Sequence, residues 1–116
     1  MARHTHVETL TILNGTQVVE LKGNQAKKVF GQATSITIFA PATLPETVTV
    51  LIAGVKAPAS TDYTNVGASA VTIAAGMSYT LPTTAFAALK LSAGAAVGAD
   101  RVFKLVAQLD TTREWG

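Results

Sequence analysis

The sequence predicts an all-β protein, a single-domain antiparallel β-sandwich or barrel of jelly-roll or immunoglobulin-like type, formed by residues 1–116. Short runs rich in Val, Ile and Thr alternate between apolar and polar residues, which is the pattern of half-buried strands. Turn residues separate these runs at close intervals, and no long amphipathic helix interrupts them. A chain of 116 residues suits one domain with its own core.

The first predicted strands are joined by a turn signal. Residues 6–13 alternate between apolar and polar side chains, and Asn14 and Gly15 follow them. This dipeptide favours a two-residue hairpin because both residues accept a positive φ. Residues 18–21 are therefore expected to return as the paired strand, and residues 26–30 are interpreted as a further short strand.

Two clearer strands come next along the chain. Residues 34–39 and residues 47–52 both alternate, and the apolar positions of each run share one face. Pro41 and Pro45 separate the two runs and cannot donate to a ladder. The spacing predicts that the two runs pair as neighbouring antiparallel strands, with Ile36, Ile38, Val48, Val50 and Ile52 turned inward.

The second half contains a long irregular stretch and then more strands. Residues 54–70 are rich in small, polar and turn-forming residues, which is typical of a functional or mobile loop. The strands predicted after it are residues 71–73, 77–81, 89–91 and 101–109. The last run is the strongest strand signal of the chain, with an expected inward row of Phe103, Leu105, Ala107 and Leu109.

The composition fits either a chain rich in alanine and threonine, whose small side chains raise its hydrophobic share, or a protein covered by neighbours, which we favour. Charged residues make up only 14% of the chain and the mean hydropathy is +0.35, whereas about a quarter of an average protein is charged. So few charges protect a small monomer poorly against association. The chain has no cysteine, which excludes disulfide and thiolate chemistry.

Charge and hydropathy argue against nucleic acid and membranes as partners. The net charge is +2, but the basic residues are dispersed and form no concentrated footprint for phosphates. No apolar run approaches the roughly 20 residues that cross a bilayer. The N-terminus lacks the apolar stretch of a secretory signal, so none is expected.

Catalytic and cofactor motifs are missing from the sequence. Hydroxyl residues are abundant, but His4 and His6 are the only histidines that could act as a base for them. No glycine pattern of a phosphate loop is present. The protein is therefore predicted not to be an enzyme and to carry no cofactor or metal. A metal-dependent enzyme using His4 and His6, with Glu8 as third ligand, stays open as an alternative.

The candidate partner-binding residues lie mostly near the chain ends. We expect an extended N-terminal arm (1–7) and a polar C-terminal tail (110–116), both suited to reach neighbours. Tryptophan and arginine dominate interface hot spots, although Trp115 could equally fold back onto its own domain. Tyr63 is the single aromatic residue of the long loop. The candidate contacts are Arg3, His4, His6, Tyr63, Arg113 and Trp115.

Two further expectations concern Arg101 and the aromatic residues. Arg101 follows Asp100 at the start of the last strand, where it could form a local salt bridge or, as the alternative, reach a partner. The four phenylalanines are assigned to the core, namely Phe30, Phe39, Phe86 and Phe103. This leaves few aromatic side chains for stacking against sugars, but a carbohydrate-binding β-sandwich stays open as an alternative function.

Residues 71–109 resemble small virion proteins of tailed bacteriophages, including capsid decoration (cement) proteins. The resemblance is carried by residues 71–76, by Leu81-Pro82 with Ala85-Phe86, and by residues 89–91 and 99–105. It implies a β-rich module that binds the outside of an icosahedral shell, often as a dimer or trimer, and that has no catalytic residues.

The resemblance leads to the functional expectation. We expect a structural protein of the virion, assembled in the host cytoplasm, whose partner is the major capsid protein or another virion protein. Its many copies and its reaching arms would bind with avidity. Tail-tube, neck and fibre-adaptor proteins are alternatives within the same class.

Overall fold

A computed structural model describes the backbone of residues 3–110 and the side chains of residues 4–109. Over this range the chain forms nine strands, one α-helix and a short 3-10 helix at Ser60–Asp62. The strands are β1 (Arg3–Ile12), β2 (Val18–Leu21), β3 (Ala33–Phe39), β4 (Val48–Ala53), β5 (Thr64–Asn65), β6 (Val71–Ile73), β7 (Ser78–Thr80), β8 (Ala88–Ala93) and β9 (Arg101–Asp110). The helix α1 spans Gly23–Phe30.

The strands form two antiparallel sheets that pack as a sandwich. Sheet A has the order β1-β9-β3-β7, and sheet B has the order β2-β8-β4-β5, with β6 also paired to β4. The apolar faces of both sheets enclose one core, as expected for sheets packed face to face. The prediction of an all-β fold is thus confirmed. Because the strands form two separate sheets, the fold is a sandwich and not a barrel.

The core is built from the alternating inward positions of both sheets. On β9, Phe103, Leu105 and Ala107 are fully buried and Leu109 nearly so, as predicted. Sheet B contributes buried residues from β4 and β8, namely Val48, Val50, Leu89 and Leu91. No polar or charged side chain is buried among residues 4–109, so this interior rests on apolar packing.

The turn at Asn14 and Gly15 exists, but the predicted hairpin is wrong. Gly15 has a φ of +82°, and the Thr16 amide donates to the Leu13 carbonyl at 2.9 Å. However, β1 pairs with β9 and β2 pairs with β8, so this turn carries the chain from one sheet to the other. Crossing places the apolar faces of β1 and β2 on opposite sides of the same core, so the two strands pack across it and do not pair side by side.

Two other local expectations are also corrected. Strands β3 and β4 lie in different sheets, so the predicted pairing between them is wrong. Residues 26–30 are the end of helix α1 and not a strand. Ala26, Val29 and Phe30 recur at the helical spacing of three and four, and all three are buried. The helix packs against β8 and β9, and neither it nor any other described helix is long and apolar enough to cross a membrane.

Residues 3–7 form the first half of β1, where an extended arm was expected. Ten consecutive pairs join β1 to β9, from Arg3 opposite Asp110 to Ile12 opposite Arg101. The alternation recognised in residues 6–13 therefore begins earlier, at Arg3, and Asp110 is still part of the sheet. The remainder of the expected arm and tail, residues 1–2 and 111–116, lies outside the described residues.

The inward row of β9 should dominate stability. Leu105→Ala should lower the free energy of unfolding by about 2–5 kcal/mol, because it opens a cavity at a site with 0% exposure. Val102→Ala on the same strand, at a site that is 41% exposed, should cost less than about 1 kcal/mol. Urea unfolding of both variants measures the difference, and equal losses would contradict the assignment of the two faces.

Candidate interaction surfaces

The outer face of sheet A is a broad surface of small, uncharged side chains. It is formed by the positions that alternate with the buried ones on all four strands. The members are Thr5, Val7, Thr9, Thr11, Ser35, Thr37, Phe39, Ser78, Thr80, Val102, Lys104, Val106 and Gln108. Among the side chains of residues 4–109, Lys104 is the only charged one on this face.

Apolar side chains interrupt the threonines of this face. Val7 is 52% exposed, Phe39 45% and Val102 41%. Val7 lies opposite Val106, and Phe39 lies opposite Lys104. Phe39 was expected in the core, but its position on β3 alternates with the inward Ile38, so its ring must lie on the outer side. Exposed apolar groups on a face with a single charge suit contact with a protein partner that hydrogen-bonds the hydroxyl groups around them.

The outer side of sheet B has a different chemistry, because charged groups are paired there. Tyr63 donates its hydroxyl to Glu20 at 2.7 Å, and the Lys90 ammonium lies 4.6 Å from the centre of the Tyr63 ring. Lys22 lies 3.6 Å from the same Glu20 carboxylate. Burial and the neighbouring carboxylate raise the pKa of Tyr63 well above its usual range. Tyr63, a candidate contact residue, is thus half-buried and holds its loop against sheet B.

The histidines predicted as candidate contacts lie on β1. His4 is exposed, whereas the His6 imidazole nitrogen Nε2 lies 3.0 Å from Glu8 Oε1. The other oxygen of Glu8 accepts a hydrogen bond from Gln25 of α1 at 2.9 Å. The strand thus brings His6 and Glu8 together as their spacing suggested. Within residues 4–109, no three side chains of the metal-binding types gather into one site.

Arg101 forms an ion pair that the sequence did not indicate. Its guanidinium donates to both Glu46 oxygens, at 2.9 and 3.2 Å, and the two side chains are only 11% and 14% exposed. The hydrogen bonds from Arg101 hold the pKa of the Glu46 carboxyl below its usual range. The expected local bridge to Asp100 is wrong, since Asp100 instead accepts from the Asn14 amide at 2.8 Å.

The remaining candidate contacts lie at the boundary of the described chain. Arg3 is the first residue of β1, and its backbone lies opposite Asp110. Arg113 and Trp115 lie outside the described residues. Their predicted contacts with a partner stay predictions.

An open depression beside α1 offers no catalytic arrangement. It is lined by Asn24, Lys27, Lys28, Gly31 and Gln32. These residues supply two amines and two amides, but no carboxylate, imidazole or hydroxyl that could form an acid–base pair with them. The lining fits a solvated helix end.

Comparison with protein-family models and with curated proteins supplies no relative for this chain. No protein-family model matches the sequence, and a search of curated proteins found none similar to it. The function has to be inferred from the surfaces of the molecule itself.

The Arg101–Glu46 pair predicts a specific pH dependence. The pKa of Glu46 is lowered on folding, so the pair stabilises the folded protein fully at pH values above the ordinary pKa of about 4.5. This stabilisation is lost as the pH falls through the lowered pKa. Arg101→Met should therefore be less stable than the parent at pH 7, and the difference should shrink toward pH 3. Urea unfolding at both pH values tests this.

A control keeps the effect specific to the ion pair. Lys104→Met removes an exposed cation from the same strand and should leave stability nearly unchanged at both pH values. An Arg101→Met deficit that stays constant from pH 7 to pH 3 would show that lost packing, and not the ion pair, causes it.

Proposed function

We propose that this protein is a structural virion protein, a decoration or cement protein that binds the outer surface of a phage capsid and stabilises it. The observation that carries the proposal is the outer face of sheet A, which is uncharged except for Lys104 and exposes Val7, Phe39 and Val102. The partner would be the major capsid protein, and the protein would reside in the virion after assembly in the host cytoplasm.

The construction of this face supports the proposal. Four strands fix its side chains on a rigid sheet, so little conformational entropy is lost when a partner docks. Its exposed groups Val7, Phe39 and Val102 lie among hydroxyl side chains, and protein interfaces combine apolar contacts with polar surroundings. The resemblance to phage virion proteins over residues 71–109 includes β9, which carries Val102 at this face.

The runner-up within the same class is another phage structural component, such as a tail-tube, neck or fibre-adaptor protein. It would use the same kind of face against a different virion protein. A carbohydrate-binding β-sandwich is favoured by one observation only, the exposed ring of Phe39. A glycan array probed with the parent and with Phe39→Thr would reveal that activity as binding lost in the variant.

The capsid proposal is tested with assembled shells. The purified chain is mixed with capsids of the major capsid protein from the same phage genome, and gradient sedimentation separates bound from free protein. We expect co-sedimentation and a higher melting temperature of the shells. Phe39→Thr and Val102→Thr should each weaken binding by about tenfold, since each removes an apolar anchor from the face.

Val55→Thr is the matched control for these substitutions. Val55 is 50% exposed, which is close to the exposure of Phe39 and Val102. It lies in the loop after β4 and not on sheet A. It should bind shells like the parent. Absence of co-sedimentation at every salt concentration would overturn the proposal. If Val55→Thr lost as much shell binding as the other two variants, the outer face of sheet A would not be the binding surface.

A further inference from the structure

The first strand leaves one of its sides without a partner strand in the described chain. β1 is the edge of sheet A, and it pairs on its other side with β9 over ten residues without a bulge. Its sequence contains neither proline nor lysine, but it carries the charged Glu8 on its inner side, which is one of the features that protect an edge from pairing. A long and regular edge is a template for adding another strand, provided that the added strand offers Glu8 a partner.

The hydrogen bonds of β3 show which backbone groups of sheet A point in each direction. The Leu81 amide donates to the Ile36 carbonyl, and the Ala40 amide donates to the Met77 carbonyl, both on the β7 side. The backbone N–H and C=O groups of the even-numbered residues of β3 therefore point toward β7. Those of the odd-numbered residues, including Thr37, point toward β9, because the direction of the backbone groups alternates along an antiparallel strand.

The same alternation carries across β9 to β1. Thr37 lies opposite Val106, so the backbone groups of Val106 point toward β3 and those of Ala107 point toward β1. Ala107 lies opposite His6, and Val106 lies opposite Val7. The backbone groups of Val7 must then point away from β9, into the free edge. The edge-facing residues are Arg3, Thr5, Val7, Thr9 and Thr11.

We propose that β1 pairs antiparallel with β1 of a second copy of this chain, about a two-fold axis at Val7. The pairing would join two copies of sheet A into one eight-stranded sheet. No hydrogen bond from the described residues reaches the edge-facing amides and carbonyls of residues 5, 7, 9 and 11. The inference concerns the edge alone and does not depend on the function proposed above.

The side chains of β1 complement themselves in this register. Val7 faces Val7 of the second copy, and Thr5 faces Thr9, so β-branched residues are opposite one another. His6 faces Glu8 of the second copy, and symmetry makes this contact twice. In this pairing His6 donates its ring N–H to Glu8 of the second copy in place of Glu8 of its own strand, and each Glu8 keeps its hydrogen bond from Gln25.

Neighbouring registers fit less well. An axis at Glu8 would place the two Glu8 carboxylates opposite each other, which is destabilising. An axis at His6 would limit the described overlap to residues 3–9, whereas the axis at Val7 pairs residues 3–11. The axes at Val7 and Glu8 both pair nine residues of β1, and of these two only the axis at Val7 places an acceptor opposite a donor at the polar positions.

Sedimentation equilibrium of the full chain tests the dimer. We expect a dimer, and Glu8→Lys should weaken it by about tenfold because lysine would face His6 without an acceptor. The double variant His6→Glu/Glu8→Lys restores opposite charges across the axis and should restore the dimer. Asp62→Lys makes the same charge change at the end of the 3-10 helix, away from sheet A, and should leave the dimer intact.

Cross-linking tests the register, because the chain has no cysteine of its own. Val7→Cys should link to itself with a short thiol-specific reagent. Thr5→Cys alone should not, since its two copies would lie about 14 Å apart, but a mixture of Thr5→Cys and Thr9→Cys should link. Thermal unfolding of each variant confirms that it is folded.

The outcomes that overturn the dimer are separate from those that overturn capsid binding. A monomer at every concentration, a dimer indifferent to Glu8→Lys, or self-linking of Thr5→Cys would each refute the β1 pairing. All of these experiments use the purified chain without shells. A monomer that still binds shells would leave the proposed function standing and remove only the dimer.

Discussion

Strand β9 has to bury one face along its entire length, and the rest of the fold follows from this requirement. It is the second strand of sheet A, and its inner row of Phe103, Leu105, Ala107 and Leu109 has to be covered from the other side of the core. The strands β2, β4 and β8 of sheet B are only four to six residues long. Helix α1 packs against both β8 and β9 and adds Ala26, Val29 and Phe30 to the same core.

The sequence predicted the strands better than their partners. Alternation is a local property, so the inward rows of β9 and β3 could be recognised from single runs of residues. Pairing depends on which faces meet across the core, and Asn14 with Gly15 forms its turn equally well between sheets as within a hairpin. Helix α1 was missed because it has eight residues and no side-chain cap at Lys22, although Ala26, Val29 and Phe30 carried its periodicity.

The candidate surfaces were predictable only in part. His6 and Glu8 share a face because they are two apart on one strand, and this the sequence could indicate. Glu46 and Arg101 are 55 residues apart, and only the packing of the two sheets brings them into a bidentate pair. The outer face of sheet A was missed because Phe39 was counted with the core on hydropathy alone, when its parity on β3 already placed it opposite to Ile38.

The outer face of sheet A and the edge of β1 meet at Val7, and this links the two proposals physically without making either depend on the other. Pairing of β1 with a second copy would place both outer faces on the same side of one continuous sheet. Because neighbouring strands rotate by about 20–25°, that joined surface would be twisted, and the two outer faces would be turned relative to each other. Two faces held together in this way bind a repeating lattice with avidity, so modest contacts at Phe39 and Val102 would suffice to retain the protein on a shell.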